Sequence, residues 1–483
     1  MREFSLKKIS LGLALISAMC STTAMSKELA AEVSKSPNFI FIFADDLGWS
    51  SLSSKIDNNV PSSKNNYHET PNLDKLAANG MSFTNGYAPA AICSPSRRSI
   101  QFGQTVMRQG AVRFADSHSM EQQQLTTIPS VLKSINPEYK TAHYGKWDMR
   151  TTISPEDLGY DESDGQMRNG NGDVFLNKKN KWTKLFIKHD PKRIDSITKR
   201  AANFIKRKAR ADQPFYLQLS HYATHVDIQA NPETFDKFKK KKHSGTDINA
   251  GFAAMLFDMD ESIKFLYEKL EEEGIADNTY IIFVTDNGGA TSLPPEKDKM
   301  AHPSKYKNTS INYPLRGGKW VLYEGGIRVP FIISGPGIKA GTQSDVPVVG
   351  YDLLPTIADL AGGDVAKLPN NVDGGSFEQV LKTGQGQVER NEDFLVFHRF
   401  SRKYPHSVLR QGDWKLVKGW TNISDLVELY NLKDDLGERH NLAKSNPGKT
   451  KELLNKLMTY AAKIDAEGVF SAVDRKDGYR SIK

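Results

Sequence analysis

Cysteine is almost missing from this chain: it occurs twice in 483 residues, as Cys20 and Cys93. Cys20 lies in an N-terminal stretch with the marks of an export signal, so the mature protein is expected to keep Cys93 alone. A single thiol in an oxidising compartment has no partner, which excludes a stabilising disulfide. Low-complexity tracts and internal repeats are absent as well. No basic motif interleaved with aromatics and no nucleic-acid fold signature occurs, so no nucleic-acid partner is expected. Long apolar runs are also missing. The stretch Ile9 to Met19 is too short to span a bilayer stably, and no other segment approaches that length, so no membrane span is expected.

What is present begins with the leader. Arg2, Lys7 and Lys8 form a positive start, Ile9 to Met19 an apolar centre, and Thr22-Thr23-Ala24 offers small residues for cleavage. Residues 1–24 therefore read as a signal peptide, and the mature protein is expected to be exported, periplasmic or secreted. A retained anchor helix is the alternative. A lipoprotein through Cys20 is another, although Ser17-Ala18-Met19 matches a lipobox poorly. Composition is that of a globular protein, 38% hydrophobic and 25% charged, ample for a large core. The formal charge is +8, and losing Arg2, Lys7 and Lys8 together with Glu3 brings it to +6. That excess suits a polyanionic partner without requiring one. The densest basic run, Lys237 to Lys242, reads first as a solvated helix face and only second as a binding patch.

Four apolar runs of strand length stop abruptly at polar residues. Phe39–Ala44 ends at Asp45-Asp46, Phe215–Ser220 at His221 to His225, Tyr280–Thr285 at Asp286-Asn287-Gly288-Gly289, and Val329–Ser334 at Gly335-Pro336-Gly337. Continuous hydrophobicity means burial on both faces, the pattern of a parallel sheet covered by helices. Helical stretches such as Thr70 to Asn79 and Ala253 to Glu273 fall between the runs. The expected fold is α/β: a large, mostly parallel sheet sandwiched by helices over 36–385. Its polar strand ends are expected to converge in one cleft. From 386 to 483 the short runs Ser407–Arg410, Trp414–Val417 and Val427–Tyr430, then a helix from Thr450 to Ile464, predict a smaller α+β subdomain with an antiparallel sheet.

Asp45, Asp46, Asp286 and Asn287 form two acidic pairs, each just past a buried strand. Clustered carboxylates repel, and a cation offsets that cost. All-oxygen donors suit Ca²⁺ or, less well, Mg²⁺ rather than zinc. Taken singly, Asp45 could be a helix cap and Asp286-Asn287-Gly288 a turn. Together they favour a metal site.

Cys93-Ser94-Pro95-Ser96-Arg97, with Gly103 six residues after the arginine, resembles the signature of the type I sulfatases, a formylglycine-dependent family of the alkaline phosphatase superfamily. The likeness continues in family order through Asp45-Asp46, Thr70 to Asp74, Gly145-Lys146-Trp147, His225, Asp286 to Gly289, Gly318-Lys319, Glu324 to Pro330 and Glu428 to Leu442. The resemblance implies an arylsulfatase-like sulfuric ester hydrolase whose Cys93 is oxidised to formylglycine by a formylglycine-generating or anaerobic sulfatase-maturating enzyme. A hydrated aldehyde has two hydroxyls on one carbon. One would attack sulfur in line and the other would drive collapse to the aldehyde, whereas a serine would stay sulfated.

The same resemblance assigns roles. Residue 93 would be nucleophile and, with Asp45, Asp46, Asp286 and Asn287, a ligand to one Ca²⁺. Arg97 would hold the hydrate, Lys146 and Lys319 would grip sulfate oxygens, and His225 would protonate the leaving alkoxide. His221 reads as structural. Two departures stand out: Phe102 replaces the usual Thr or Ser before Gly103, and Asp148 occupies the place of the histidine that usually follows Gly-Lys-Trp. Asp148 is the candidate base in its stead, ahead of His143. Family members of this kind imply a sulfated polysaccharide or oligosaccharide as substrate, with Arg168 and His302 as candidate subsite contacts. The alternatives are a phosphoesterase on the same scaffold, which the sparse histidines oppose; a catalytically degenerate glycan-binding homologue; and a cysteine hydrolase using Cys93 as thiolate.

Overall fold

Eight strands build the central sheet: β1 (Asn38–Ala44), β2 (Met81–Phe83), β3 (Lys140–Gly145), β4 (Glu162–Ser163), β5 (Phe215–Ser220), β6 (Thr279–Thr285), β7 (Phe331–Ser334) and β8 (Thr342–Ser344). Their order across the sheet is β8-β2-β7-β6-β1-β5-β3-β4. The computed structural model describes residues 35–109, 126–149, 153–167, 190–226, 228–243, 249–293, 307–399, 405–420, 426–464 and 466. The leader 1–24 and the subsite candidates Arg168 and His302 lie outside the described residues.

β1 is the middle of the sheet, paired in parallel with β5 on one side and β6 on the other. Its alternation sorts the core into two layers. Ile40, Ile42 and Ala44 pack on one face with Ile197, Ala201 and Phe204 of α3 (Ile194–Arg210) and Met255, Leu256 and Met259 of α4 (Ala250–Glu272). On that face also lie Leu73 and Leu76 of α1 (Pro71–Ala78). Phe39, Phe41 and Phe43 pack on the other face with Ile100 and Phe102 of α2 (Cys93–Phe102) and Leu353, Leu354 and Ile357, the last three on α5 (Leu353–Leu360). Both faces are dry, as the unbroken apolar runs required.

One expectation is corrected. β7 runs antiparallel to both of its neighbours, β6 and β2. Its carboxyl end, with Gly335-Pro336-Gly337, therefore points away from the tips of β1, β5 and β6, and its amino end, led in by Arg328 to Pro330, faces them. A strand buried on both faces reads the same in either direction, so its apolar pattern carried no sign of the reversal.

Four antiparallel strands follow: β9 (Leu395–Arg399), β10 (His406–Gln411), β11 (Trp414–Gly419) and β12 (Val427–Asn431), in that order, with α6 (Pro447–Lys463) packed on them through Leu453, Leu457 and Tyr460. The fold is thus the expected α/β sandwich with a smaller antiparallel α+β portion. The two sheets are joined by a buried charge cluster. Lys415 Nζ lies 2.8 Å from Glu324 Oε1 and 2.8 Å from Glu438 Oε1, and Arg328 Nε donates to Glu324 Oε2 at 2.7 Å. Lys237, Lys239 and Lys240 lie on an exposed helix face, Pro232–Lys240, whose Phe238 is buried. Among the described residues, no helix is long and apolar enough to cross a membrane.

Candidate active site

The sheet register brings the two acidic pairs together. Ala44 is aligned with Thr285 on the neighbouring parallel strand, so Asp45-Asp46 and Asp286-Asn287 leave adjacent tips at the same level. Asp46 N–H donates to Asp286 Oδ1 at 3.2 Å and Leu47 N–H to Thr285 Oγ1 at 3.2 Å, which fixes the turn after β1. Asp46 holds φ 61° there, a left-handed conformation that aspartate tolerates better than most residues. From the opposite layer α2 begins at Cys93, with its positive N-terminal end directed at the carboxylates. Cys93 Sγ is 3.5 Å from Asp45 Oδ1 and 3.9 Å from Asp46 Oδ1. Oxygens of Asp45, Asp46 and Asp286 and the Cys93 sulfur all lie within 4.8 Å of one another.

Three cations close the cluster. Arg97, one turn after Cys93 on the same helix face, donates from Nε (3.0 Å) and Nη2 (2.8 Å) to Asp286 Oδ2 and from Nη1 to the Lys146 carbonyl (2.8 Å). Its guanidinium lies 4.7 Å from the centre of the Phe43 ring. Lys146 follows β3 and reaches Asp45 Oδ2 at 2.5 Å; Lys319 reaches Asp46 Oδ2 at 2.6 Å. Glycine permits close backbone approach at two of these turns. Gly145 has φ +93°, and a Cβ there would sit 2.0 Å from the Ser220 carbonyl oxygen. At Gly288, which bonds through its N–H to the Gly326 carbonyl, a Cβ would sit 1.9 Å from the Gly325 carbonyl oxygen.

Burial and charge compete at each group. Burial alone would raise the Asp45 and Asp46 carboxyls, but Lys146, Lys319 and their neighbours hold both below the ordinary range. At Asp286 burial wins, helped by Asp45, and its pKa rises to about 7. Burial, then Asp286, pushes the Cys93 thiol well up. His225 is lowered to about 4, chiefly by burial and then by Lys319. Its Nδ1 faces the Val226 carbonyl at 3.0 Å, which leaves Nε2 directed at Asp46 Oδ2, 3.7 Å away.

The donor set fits a hard divalent cation. Three buried carboxylates converge, and Asn287 Oδ1 is buried beside them with no hydrogen-bond partner among the described residues while its Nδ2 donates to Asp46 Oδ1 at 2.7 Å. Three cations, Arg97, Lys146 and Lys319, already face these carboxylates, and a divalent cation would add positive charge that favours an anionic substrate.

Each motif residue expected in the site and lying within the described residues is brought to this cluster. Asp148 is buried, with φ 47° and its Oδ2 3.6 Å from Lys146 Nζ. His143 is elsewhere: it packs edge-on against Trp147 with Nε2 3.1 Å from Ser220 Oγ, and burial lowers it to about 3. His221 is fully buried, 3.5 Å from Ser262 Oγ. Two supporting residues, Asn312 and Lys192, carried no sequence signal, and Phe43, visible as part of the β1 run, gave none of its place under Arg97. Asn312 clamps Gly289 by accepting from its N–H (3.0 Å) and donating to its carbonyl (2.9 Å), and the Gly289 carbonyl in turn accepts from Lys319 N–H. Buried Lys192 donates from Nζ to the His225 carbonyl at 2.8 Å. Isolated residues of this kind have no spacing pattern to betray them.

Comparison with known proteins accounts for the arrangement. The sulfatase family model matches residues 37–363, and a model described as N-sulphoglucosamine sulphohydrolase, C-terminal, matches 318–466. The chain is similar to a sulfatase of Formosa agariphila (28% identical, covering 96% of this chain and 95% of that one). It is also similar to human arylsulfatase A (27%, covering 91% and 90%). Among solved structures, that of Ps i-CgsB in complex with k-i-k-neocarrahexaose superposes with a TM-score of 0.70 at 25% identity, over 88% of this chain and 93% of that one. The strand-tip cluster and a family match over most of the described fold agree: the chain belongs to the sulfatase family, sulfuric ester hydrolases on an alkaline phosphatase-like fold.

Proposed function

We propose that this protein is an exported sulfatase that removes sulfate from a sulfated polysaccharide or oligosaccharide, using formylglycine made from Cys93 and one Ca²⁺ per chain. The carrying observation is the position of Cys93. It is buried at the start of a helix, against two carboxylates and within reach of a third, surroundings that disfavour a free thiolate nucleophile. Among the described residues no histidine is bonded to its sulfur, which disfavours a cysteine hydrolase. Oxidation to a hydrated aldehyde by a maturation enzyme would supply two hydroxyls at that point.

A cation held by Asp45, Asp46, Asp286 and Asn287 would supply Lewis-acid stabilisation and lower the pKa of an attacking hydroxyl. The protein's own side chains do the remainder. Arg97 fixes Asp286 and the Lys146 backbone. Lys146 and Lys319 bind sulfate oxygens and offset the charge that builds during in-line displacement. His225 donates a proton from Nε2 to the leaving oxygen. A bound sulfate beside it raises its proton affinity from the low value of the free site. Asp148 accepts the proton whose removal releases sulfate. Residues 36–385 supply this chemistry, and Lys415 and Glu438 from the 386–483 portion brace the chain after Lys319 by holding Glu324. The carbohydrate assignment is supported by the hexaose bound to the similar solved structure, and the basic balance of the chain agrees with a polyanion.

The test is desulfation across a panel of sulfated oligosaccharides and a sulfated aryl ester, with phosphate monoesters in parallel, using protein matured in an exporting host. Release of sulfate from oligosaccharides supports the proposal. Turnover of the phosphate esters alone would replace it with a phosphoesterase, and binding without turnover with a degenerate homologue.

A further inference from the structure

Among the described residues, Arg399 is a charge without a carboxylate counterpart. Three well-buried arginines face carboxylates, Arg97 at Asp286, Arg328 at Glu324 and Arg390 at Asp352, and a fourth, Arg410, has its guanidinium taken up by neutral oxygens of Tyr87, Asn85 and Gly412. Arg399, half-buried at the end of β9, has no carboxylate paired with it among the described residues. Loss of water around it lowers its pKa to about 10. Its guanidinium lies instead over the Trp320 ring, 5.4 Å from the centre. A desolvated cation held this way is costly unless an anion completes it.

The location indicates which anion. Trp320 directly follows Lys319, and Lys319 Nζ lies 5.5 Å from the centre of the same ring and 2.6 Å from Asp46 Oδ2. Trp320 N–H donates to the carbonyl of Ala91, two residues before Cys93. The ring is nonetheless 43% exposed, at a φ of 88° that turns it away from the regular chain path. β9 is held in place here too: Arg399 pairs in register with His406, whose Nε2 accepts from Leu322 N–H at 2.9 Å. Two cations are thus presented on one aromatic ring at the mouth of the catalytic cluster. One of them, Lys319, is committed to the scissile sulfate. Arg399 remains, with a planar fork suited to an oxyanion.

We infer that Arg399, held on Trp320, binds a second anionic group of the substrate, a sulfate or carboxylate close to the sulfate that is cleaved. This inference rests on the carbohydrate reading above and narrows it to sugars carrying more than one charge, so that the enzyme selects multiply anionic glycan units over singly sulfated ones.

The experiment uses matched sets of substrates built on each sugar the enzyme desulfates: the single sulfate ester, the same unit with a neighbouring second sulfate, and the same unit with a neighbouring uronate. kcat/KM is measured for the matured wild type, Arg399→Gln, Arg399→Lys and Trp320→Leu. Binding to Cys93→Ala protein by calorimetry serves as the non-catalytic readout. The wild type is expected to prefer one doubly anionic substrate by about tenfold or more, the scale of one charge-assisted hydrogen bond. Whether the second sulfate or the uronate gives the preference identifies the group bound. Arg399→Gln should bring that ratio close to one, Arg399→Lys should keep part of it, and Trp320→Leu should reduce it. A ratio within one protein is insensitive to partial loss of folded enzyme. A wild type with no preference, or an Arg399→Gln variant with the wild-type ratio, overturns the inference while leaving the carbohydrate reading intact. Failure of the wild type to bind or cleave any sulfated sugar overturns both.

Discussion

Replacing Arg97 by lysine keeps the charge and removes the fork, which makes it the sharpest perturbation of the cluster. In the wild type the guanidinium bridges a side-chain carboxylate and a backbone carbonyl, with two bonds to Asp286 Oδ2 and one to the Lys146 carbonyl, over the face of Phe43. A single ammonium can replace one of these contacts. Two charge-assisted bonds of about 1.5–3 kcal/mol each are lost, together with a cation–aromatic contact of about 0.5–2 kcal/mol. Relaxation recovers part of this. A loss of about 3 kcal/mol in positioning corresponds to a fall of at least about a hundredfold in kcat. The assay is aryl sulfate hydrolysis by equally matured protein, with melting temperature recorded alongside. The melting temperature is expected to fall by a few degrees, because the residual charge still faces Asp286. An Arg97→Lys enzyme within about threefold of wild-type kcat would refute the claim that Arg97 sets the geometry of the site.

Two further outcomes follow from the same cluster and one from histidines buried outside it. Chelation should abolish activity and lower the melting temperature, because Asp286 and its two neighbours lose the charge that stabilises them; added Ca²⁺ should restore both, and full activity in protein shown to be metal-free would dismiss the cation. Replacing Asp148 by histidine should move the basic or acidic limb of the kcat profile, because the proton acceptor beside Lys146 changes its intrinsic pKa; superimposable profiles would remove Asp148 from the proton account. Folding should weaken in mild acid. His68 and His398 are held near 4, and His143 and His221 near 3, by burial, whereas the unfolded chain protonates near 6.5. The unfolded state therefore binds more protons below about 6.5, so stability is complete above that pH and is lost as pH falls towards 4. His221→Gln should flatten the slope by up to about 1.4 kcal/mol per pH unit, and an unchanged slope would show that His221 does not contribute.

Much of this organisation was legible because the physics is local. Strands buried on both faces must be continuously apolar, so Asn38–Ala44, Phe215–Ser220 and Thr279–Thr285 were visible within a residue or so, and the acidic pairs at two of their ends announced the cluster. The reversal of β7 was not legible, since direction leaves no mark on such a strand. The short edge strands Glu162–Ser163 and Thr342–Ser344 are too brief for any period to show. β9 was missed because Leu395-Val396-Phe397 alone is hard to tell from loop. Lys146 and Lys319 stood out only within the family motif order; as single lysines they have the signature of surface residues. Asn312, Lys192 and Arg399 act through tertiary neighbours, and nothing adjacent in the chain hints at them.

The central claim is that residue 93 of the active enzyme is no longer a cysteine. Mass spectrometry of the tryptic peptide Leu76–Arg97 from protein secreted by its native host measures this directly. The account predicts a peptide bearing an aldehyde or its hydrate at position 93, which forms a hydrazone with a carbonyl reagent. Fully active enzyme whose peptide carries an alkylatable thiol there would contradict it.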